Sequence, residues 1–264
     1  MAATALLQVE GLTKHFGGIT ALADYAIEIY PEELVGLIGP NGAGKTTVFN
    51  LLSGVLKPTK GCILFDEHDI TSFRPDQSAA LGIARTFQNI RLFHELSVTD
   101  NIKTAFHRHT GKGLWKTLFH TPGFRSSEKR MDQKVHEFLA LLDLRDVKDE
   151  LAKNLPYGIQ RRVEIARAMA TSPQLLLLDE PAAGMNPYES EELIGVIRDI
   201  HDKYRLTIFL VEHDMKVVMA LCQRIQVIDR GNTLIVGAPQ EIRRHPEVIE
   251  AYLGKPKGRR HASN

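Results

Sequence analysis

Gly39-Pro40-Asn41-Gly42-Ala43-Gly44-Lys45-Thr46 decides how this chain is read. The segment fits G-x-x-x-x-G-K-[ST], the pattern of a phosphate-binding loop. Its glycines let the backbone wrap closely round phosphate oxygens, in conformations closed to other residues. The loop's N–H groups, with the N-terminus of a following helix, then face the anion. Lys45 adds a positive charge at the outer phosphates, and Thr46 offers a hydroxyl to Mg²⁺. The flanks agree with this reading. Residues 34–38 are a short apolar run, as expected of a strand buried on both faces. A helical pattern follows over residues 45–53.

Two later segments supply the rest of a nucleotide site. Residues 175–178 are four leucines that end in Asp179-Glu180. At the carboxyl end of a central strand, such side chains reach the ligand crevice of an open α/β sheet. Asp179 would hold Mg²⁺ through water, and Glu180 would polarise the attacking water as general base. Val211-Glu212-His213-Asp214 closes another apolar strand, which brings His213 toward the same crevice and the γ-phosphate.

The rest of the chain sets the frame. It has 264 residues and a formal net charge of +1, with 33 basic against 32 acidic residues, so no nucleic-acid footprint is present. The basic excess at Lys255, Lys257, Arg259, Arg260 and His261 reads as a solvated tail, with a weak contact to anionic lipid or a partner as the alternative. Cys62 and Cys222 have no ligand-like spacing and read as small buried hydrophobes. No basic-then-apolar leader is visible, and no apolar run nears the ~18 residues of a membrane span. If the chain works at a membrane, another chain must cross it.

Strands are expected at residues 6–9 and 26–30. After the four leucines the expected order is helix 189–204, strand 206–211, helix 215–221 and strand 225–229. Residues 229–232 form a hairpin turn into a strand at 233–236. Strands alternating with helices argue for a mainly parallel sheet in an α/β core. A helix is expected at residues 127–142, with Val135, Phe138, Leu139 and Leu142 on one face. Residues 107–125 read as an irregular loop. The His107-Arg108-His109 cluster there lacks the partners to complete a metal site.

Taken in order, these segments resemble the ABC ATPase family over nearly the whole chain. The order is the phosphate loop, Arg85-Thr86-Phe87-Gln88, Gly158-Ile159-Gln160-Arg161-Arg162, the leucine run with Asp179-Glu180-Pro181, and Glu212-His213-Asp214. The resemblance implies a P-loop core with a mixed or parallel sheet, an N-terminal antiparallel β subdomain and an inserted helical subdomain. The expected bounds are 1–88 and 165–240 for the core, 89–164 for the insertion, and 241–264 for a C-terminal helical extension with its tail. The cofactors implied are ATP and Mg²⁺. Phe16 sits where the family stacks adenine. Gly39, Pro40, Asn41, Gly42, Ala43, Gly44, Lys45, Thr46 and Thr47 would contact the nucleotide. Gln88 would touch Mg²⁺ and water, so the metal set is Thr46, Gln88 and Asp179. Catalysis would fall to Glu180, His213 and Gln88. Asn186 lies where many members carry aspartate.

Leu155-Pro156-Tyr157-Gly158-Ile159 occupies the position of the family's signature, usually Leu-Ser-Gly-Gly-Gln. That motif opens a helix and acts on ATP held by the opposite subunit. Pro156 suits a first helical turn but supplies neither hydroxyl nor N–H. A weakened composite site is therefore expected, which a heterodimer with one intact site tolerates best; a homodimer stays open.

A narrower resemblance is to the LivG-type ATP-binding subunits of branched-chain amino-acid importers. It is carried by residues 85–93, Pro181-Ala182-Ala183-Gly184-Met185-Asn186-Pro187, Glu212-His213-Asp214-Met215, and Ala251-Tyr252-Leu253-Gly254. It implies transmembrane permease subunits and a second cassette as partners, and a periplasmic solute-binding protein acting indirectly. It also implies a place at the cytoplasmic face of the inner membrane. Relatives for other amino acids, amides or urea, and lipid or polysaccharide exporters, share much of this pattern. Soluble cassettes of translation or DNA repair usually carry two cassettes or a coiled-coil insertion. A P-loop kinase or GTPase would lack the signature segment and His213.

Overall fold

The computed structural model describes residues 4–110 and 122–253; the side chains of 107–110, 122–127 and 253 are outside this description. The fold grows from β3 (Leu34–Ile38), whose five residues are all buried. β8 (Thr207–Val211) lies parallel on one side and β9 (Arg224–Asp229) parallel on the other. β7 (Leu175–Asp179) and β6 (Ile83–Arg85) extend the sheet in parallel, and β10 (Asn232–Gly237) closes it antiparallel to β9. The order is β10-β9-β3-β8-β7-β6. The sheet is therefore mixed, and its central strands are apolar on both faces, as burial on both sides demands.

The two faces feed two cores. Leu34, Ile38, Leu176, Leu178, Ile208 and Leu210 join one apolar cluster with the helices. Val35, Leu37, Leu175, Leu177, Phe209 and Val211 join the other, because side chains alternate along a strand. This second core is covered by α1 (Lys45–Leu52) and by an antiparallel sheet of order β2-β1-β4-β5. Its strands are β1 (Leu7–Phe16), β2 (Ile19–Ile29), β4 (Lys60–Phe65) and β5 (His68–Asp69). The two sheets meet at a buried hydrogen bond, in which the Tyr25 hydroxyl donates to Gln226 Oε1 at 2.8 Å.

The helices on the first face follow in chain order after α2 (Pro75–Leu81). They are α3 (Val98–Thr110), α4 (Pro122–Leu141), α5 (Tyr157–Met169), α6 (Pro187–Tyr204), α7 (Met215–Leu221), α8 (Pro239–Arg244) and α9 (Pro246–Leu253). α6 begins with a reciprocal cap. Glu189 N–H donates to Asn186 Oδ1 at 3.0 Å, Asn186 N–H donates to Glu189 Oε2 at 2.9 Å, and Pro187 takes the first helical position. Arg230 and Gly231 both have positive φ, 46° and 80°, which suits the two-residue hairpin turn between β9 and β10.

Three expectations need correction. Residues 107–110 and 122–125 are helical rather than irregular, since α3 runs to Thr110 and α4 starts at Pro122; residues 111–121 lie outside the described residues. Pro156 is the cap of α5 and not in its first turn; its ψ of 152° is extended. Cys62 is half-buried, whereas Cys222 is buried and its thiol is pushed up to about 12 by that burial. The basic tail lies outside the described residues.

Candidate active site

β3 delivers the chain into the glycine loop against β10's hairpin. A Cβ on Gly39 would run into the carbonyl oxygen of Ile228. Gly44 has φ 108°, and a Cβ there would come within 2.8 Å of Ala21 O. Both positions therefore require glycine. The loop is tied down by Ala43 N–H donating to Pro40 O at 3.1 Å and by Gly231 N–H donating to Ala43 O at 2.9 Å. Gly44 caps α1 without a side-chain acceptor. The N–H groups of the first turn thus face outward with the positive end of the helix dipole, an arrangement made for an anion.

Lys45 is buried, and its Nζ donates to the carbonyls of Gly39 at 2.6 Å and Pro40 at 3.0 Å. Burial lowers its pKa, while the charges of Glu180 and Asp179 act in the opposite direction. A cavity of about 520 Å³ opens above it, lined by residues 41–47 with Ala21, Gln88, Glu180 and His213.

Glu180 leaves β7 with φ 46°, a left-handed conformation uncommon for a residue with a side chain. Its N–H donates to Val211 O on the neighbouring strand at 2.9 Å, which holds the turn in place. Gln88 Nε2 donates to Glu180 Oε2 at 3.0 Å. His213 Nδ1 lies 3.7 Å from the same oxygen. One carboxylate, one amide and one imidazole therefore converge over the phosphate loop, although they stand far apart in sequence. Strain concentrated at a convergent polar site is a mark of function.

Not every candidate residue lines this cavity. Asp179 is buried behind it, where Arg85 Nη2 reaches its Oδ2 at 2.7 Å. Arg85 also donates to Asn50 Oδ1 at 2.8 Å and Ser53 Oγ at 2.9 Å, fixing the carboxylate against α1. Phe16, at the end of β1, is exposed and lies outside the lining. The segment 155–159 is elsewhere on the surface. Leu155 is buried in the core, whereas Pro156 and Tyr157 are exposed. Pro156 offers α5 no side-chain cap, so its first N–H groups lack that partner. Among the described residues no group of three His, Cys, Asp or Glu is arranged for a metal. The donors nearest the loop are instead hydroxyl, amide and carboxylate oxygens. That set fits Mg²⁺, which binds through one or two carboxylates with phosphates and waters completing its shell.

Arg85 and the α5 pair Arg161–Glu164 stand out only in three dimensions. Arg161 Nη1 donates to Glu164 Oε2 and to Phe87 O, both at 2.6 Å, and Nη2 donates to Gln88 O at 2.8 Å. Glu164 Oε1 in turn accepts from Phe87 N–H at 3.3 Å. Arg161 stands between Gln160 and Arg162, so nothing local in the sequence marks it as buried.

Comparison with known proteins agrees with this geometry. Residues 22–183 match the family model of the ABC transporter, and residues 236–257 match that of the branched-chain amino acid ATP-binding cassette transporter. The chain is 46% identical over 250 residues to the high-affinity branched-chain amino acid transport ATP-binding protein LivG of Escherichia coli (strain K12), spanning 95% of this chain and 98% of that protein. It is 44% identical over 250 residues to BraF, a protein of the same description from Pseudomonas aeruginosa, with the same coverage. The crystal structure of the ADP conformation of MJ1267, an ATP-binding cassette of an ABC transporter, superposes with a TM-score of 0.83 at 29% identity, covering 96% of this chain and 100% of that one.

Proposed function

Because the chain belongs to the ABC transporter family of ATP-binding cassettes, we propose that it energises an importer of branched-chain amino acids. Two likenesses support the solute class: the match of residues 236–257 to the branched-chain cassette family, and identity of 46% along nearly the full length of a branched-chain amino acid transport protein.

The observation that carries the chemistry is the meeting of Glu180, Gln88 and His213 over the phosphate loop. The loop and the start of α1 grip the phosphates of ATP, and Lys45 turns from its loop carbonyls to the outer phosphates. Glu180 takes a proton from the attacking water, while Gln88 and His213 hold that water and the γ-phosphate in line. Mg²⁺ would be held by Thr46 and Gln88, with Asp179 through water, and would neutralise charge on the phosphates. Phe16 lies at the end of β1 and would meet the adenine.

Residues 155–159 are the complementary half of a site, offered to ATP on a second cassette. Residues 89–164 act as the inserted arm, with 1–88 and 165–240 as the core and 241–264 as the C-terminal extension. Among the described residues no helix is long and apolar enough to cross a membrane. The membrane is crossed by permease subunits, which hold this chain at the cytoplasmic face. A groove lined by Val55, Phe87, Arg91, Phe93 and Arg167 supports that docking, since Val55 and Phe93 are exposed and Gln88 follows directly from the groove. A periplasmic binding protein acts from the far side and makes no contact with this chain.

Reconstitution with its permeases and the second cassette tests the proposal. Leucine-loaded binding protein should stimulate ATP hydrolysis. Hydrolysis indifferent to leucine, isoleucine and valine would remove the solute assignment.

A further inference from the structure

Glu212 has no role in the chemistry above, yet its side chain is fully buried one residue before His213. A buried carboxylate is costly unless hydrogen bonds or an opposite charge offset it. Burial raises its pKa, and three backbone N–H groups act in the opposite direction. Ala182 N–H donates to Oε1 at 2.8 Å. His213 N–H and Asp214 N–H donate to Oε2 at 3.0 and 3.4 Å. His213 Nδ1 lies 3.7 Å from Oε2.

The donors belong to two different loops. Ala182 sits in the loop that leaves β7 through Glu180 and Pro181. His213 and Asp214 form the turn between β8 and α7, and Asp214 caps that helix by accepting from Lys216 N–H at 2.8 Å. Each loop carries one residue of the active site, and His213 Nδ1 faces both Glu180 and Glu212 at 3.7 Å.

We infer that Glu212 is a positioning residue: its carboxylate locks the loop after Glu180 to the turn that carries His213, so both side chains meet ATP as one unit. This rests on the assignment of Glu180 and His213 to the site. A shift of residues 182–186 then reaches His213 through the Glu212 carboxylate.

The test uses the assembled transporter with Glu212→Gln. Glutamine keeps the volume but turns an NH₂ toward one set of backbone donors, which releases one loop. The expected result is a fall in kcat of roughly tenfold to a hundredfold, with unchanged binding of a fluorescent ATP analogue. Glu212→Gln combined with His213→Ala should lose less than the product of the two single losses. A folded Glu212→Gln with wild-type kcat overturns the proposal. So do additive losses in the double variant, or equal losses of binding and turnover that track a lowered melting temperature. Glu180→Gln is assayed in parallel. If it still hydrolyses ATP, the site assignment fails and takes this proposal with it. An inactive Glu180→Gln beside a normal Glu212→Gln removes the role of Glu212 alone.

Discussion

Glu180 is held in a left-handed turn whose N–H is tied to the next strand, and its carboxylate meets Gln88 and His213. Glutamine at this position keeps the shape and the hydrogen bond to Gln88 but accepts no proton. Glu180→Gln should therefore abolish turnover while ATP binding persists, as read by equilibrium binding beside a phosphate-release assay. Gly44 is constrained by backbone alone. Its φ is 108°, and Ala21 O stands where a Cβ would need room. Gly44→Ala should cost about 1–3 kcal/mol of local strain and weaken ATP binding at least tenfold, measured by titration calorimetry. Wild-type affinity would show that the loop tolerates a side chain there.

At the scale of elements, α5 carries an uncapped start and a buried ion pair on the same helix. Pro156 caps α5 without a side-chain acceptor. Serine there would accept from an N–H of the first turn, so Pro156→Ser should stabilise the chain by about 1 kcal/mol in urea unfolding. It should also raise ATP turnover of the assembled transporter; no gain in rate or affinity would end the idea of a weakened composite site. Arg161 is fully buried and clamps the Phe87–Gln88 backbone to α5. Arg161→Met leaves Glu164 buried without its partner and should cost about 3–5 kcal/mol, whereas adding Glu164→Met should recover much of that. An Arg161→Met chain as stable as wild type would show that the pair contributes little.

Over the whole molecule, what the sequence discloses depends on whether a signal is contiguous. The phosphate loop and β3 are legible because one unbroken segment carries both the glycines and the buried apolar run. The same holds for the turn at residues 229–232 and for α7. β1 and β2 extend well beyond their apolar cores at residues 6–9 and 26–30, because their pairing passes through register shifts that break the alternation. α3 is hidden because polar residues interrupt its apolar pattern: Asn101 is itself fully buried beside Val98, Ile102 and Phe106. The site shows the same division. Lys45, Asp179, Glu180 and His213 end legible segments, whereas Arg85 reaches Asp179 across 94 residues of sequence and Glu212 acts between two loops. Neither pairing has a local pattern. Only the sheet order, which sets β6 beside β7 and β7 beside β8, brings those side chains together.

Residues 155–159 are not part of the lining over the phosphate loop, which is what the proposed pairing with a second cassette requires. The most direct test is uptake of labelled leucine into proteoliposomes holding the permeases, both cassettes and the binding protein. With ATP enclosed on the cassette side, the wild-type chain should drive accumulation, and Glu180→Gln in this chain should stop it while the complex stays assembled. Leucine accumulation that continues unchanged with Glu180→Gln would contradict the account.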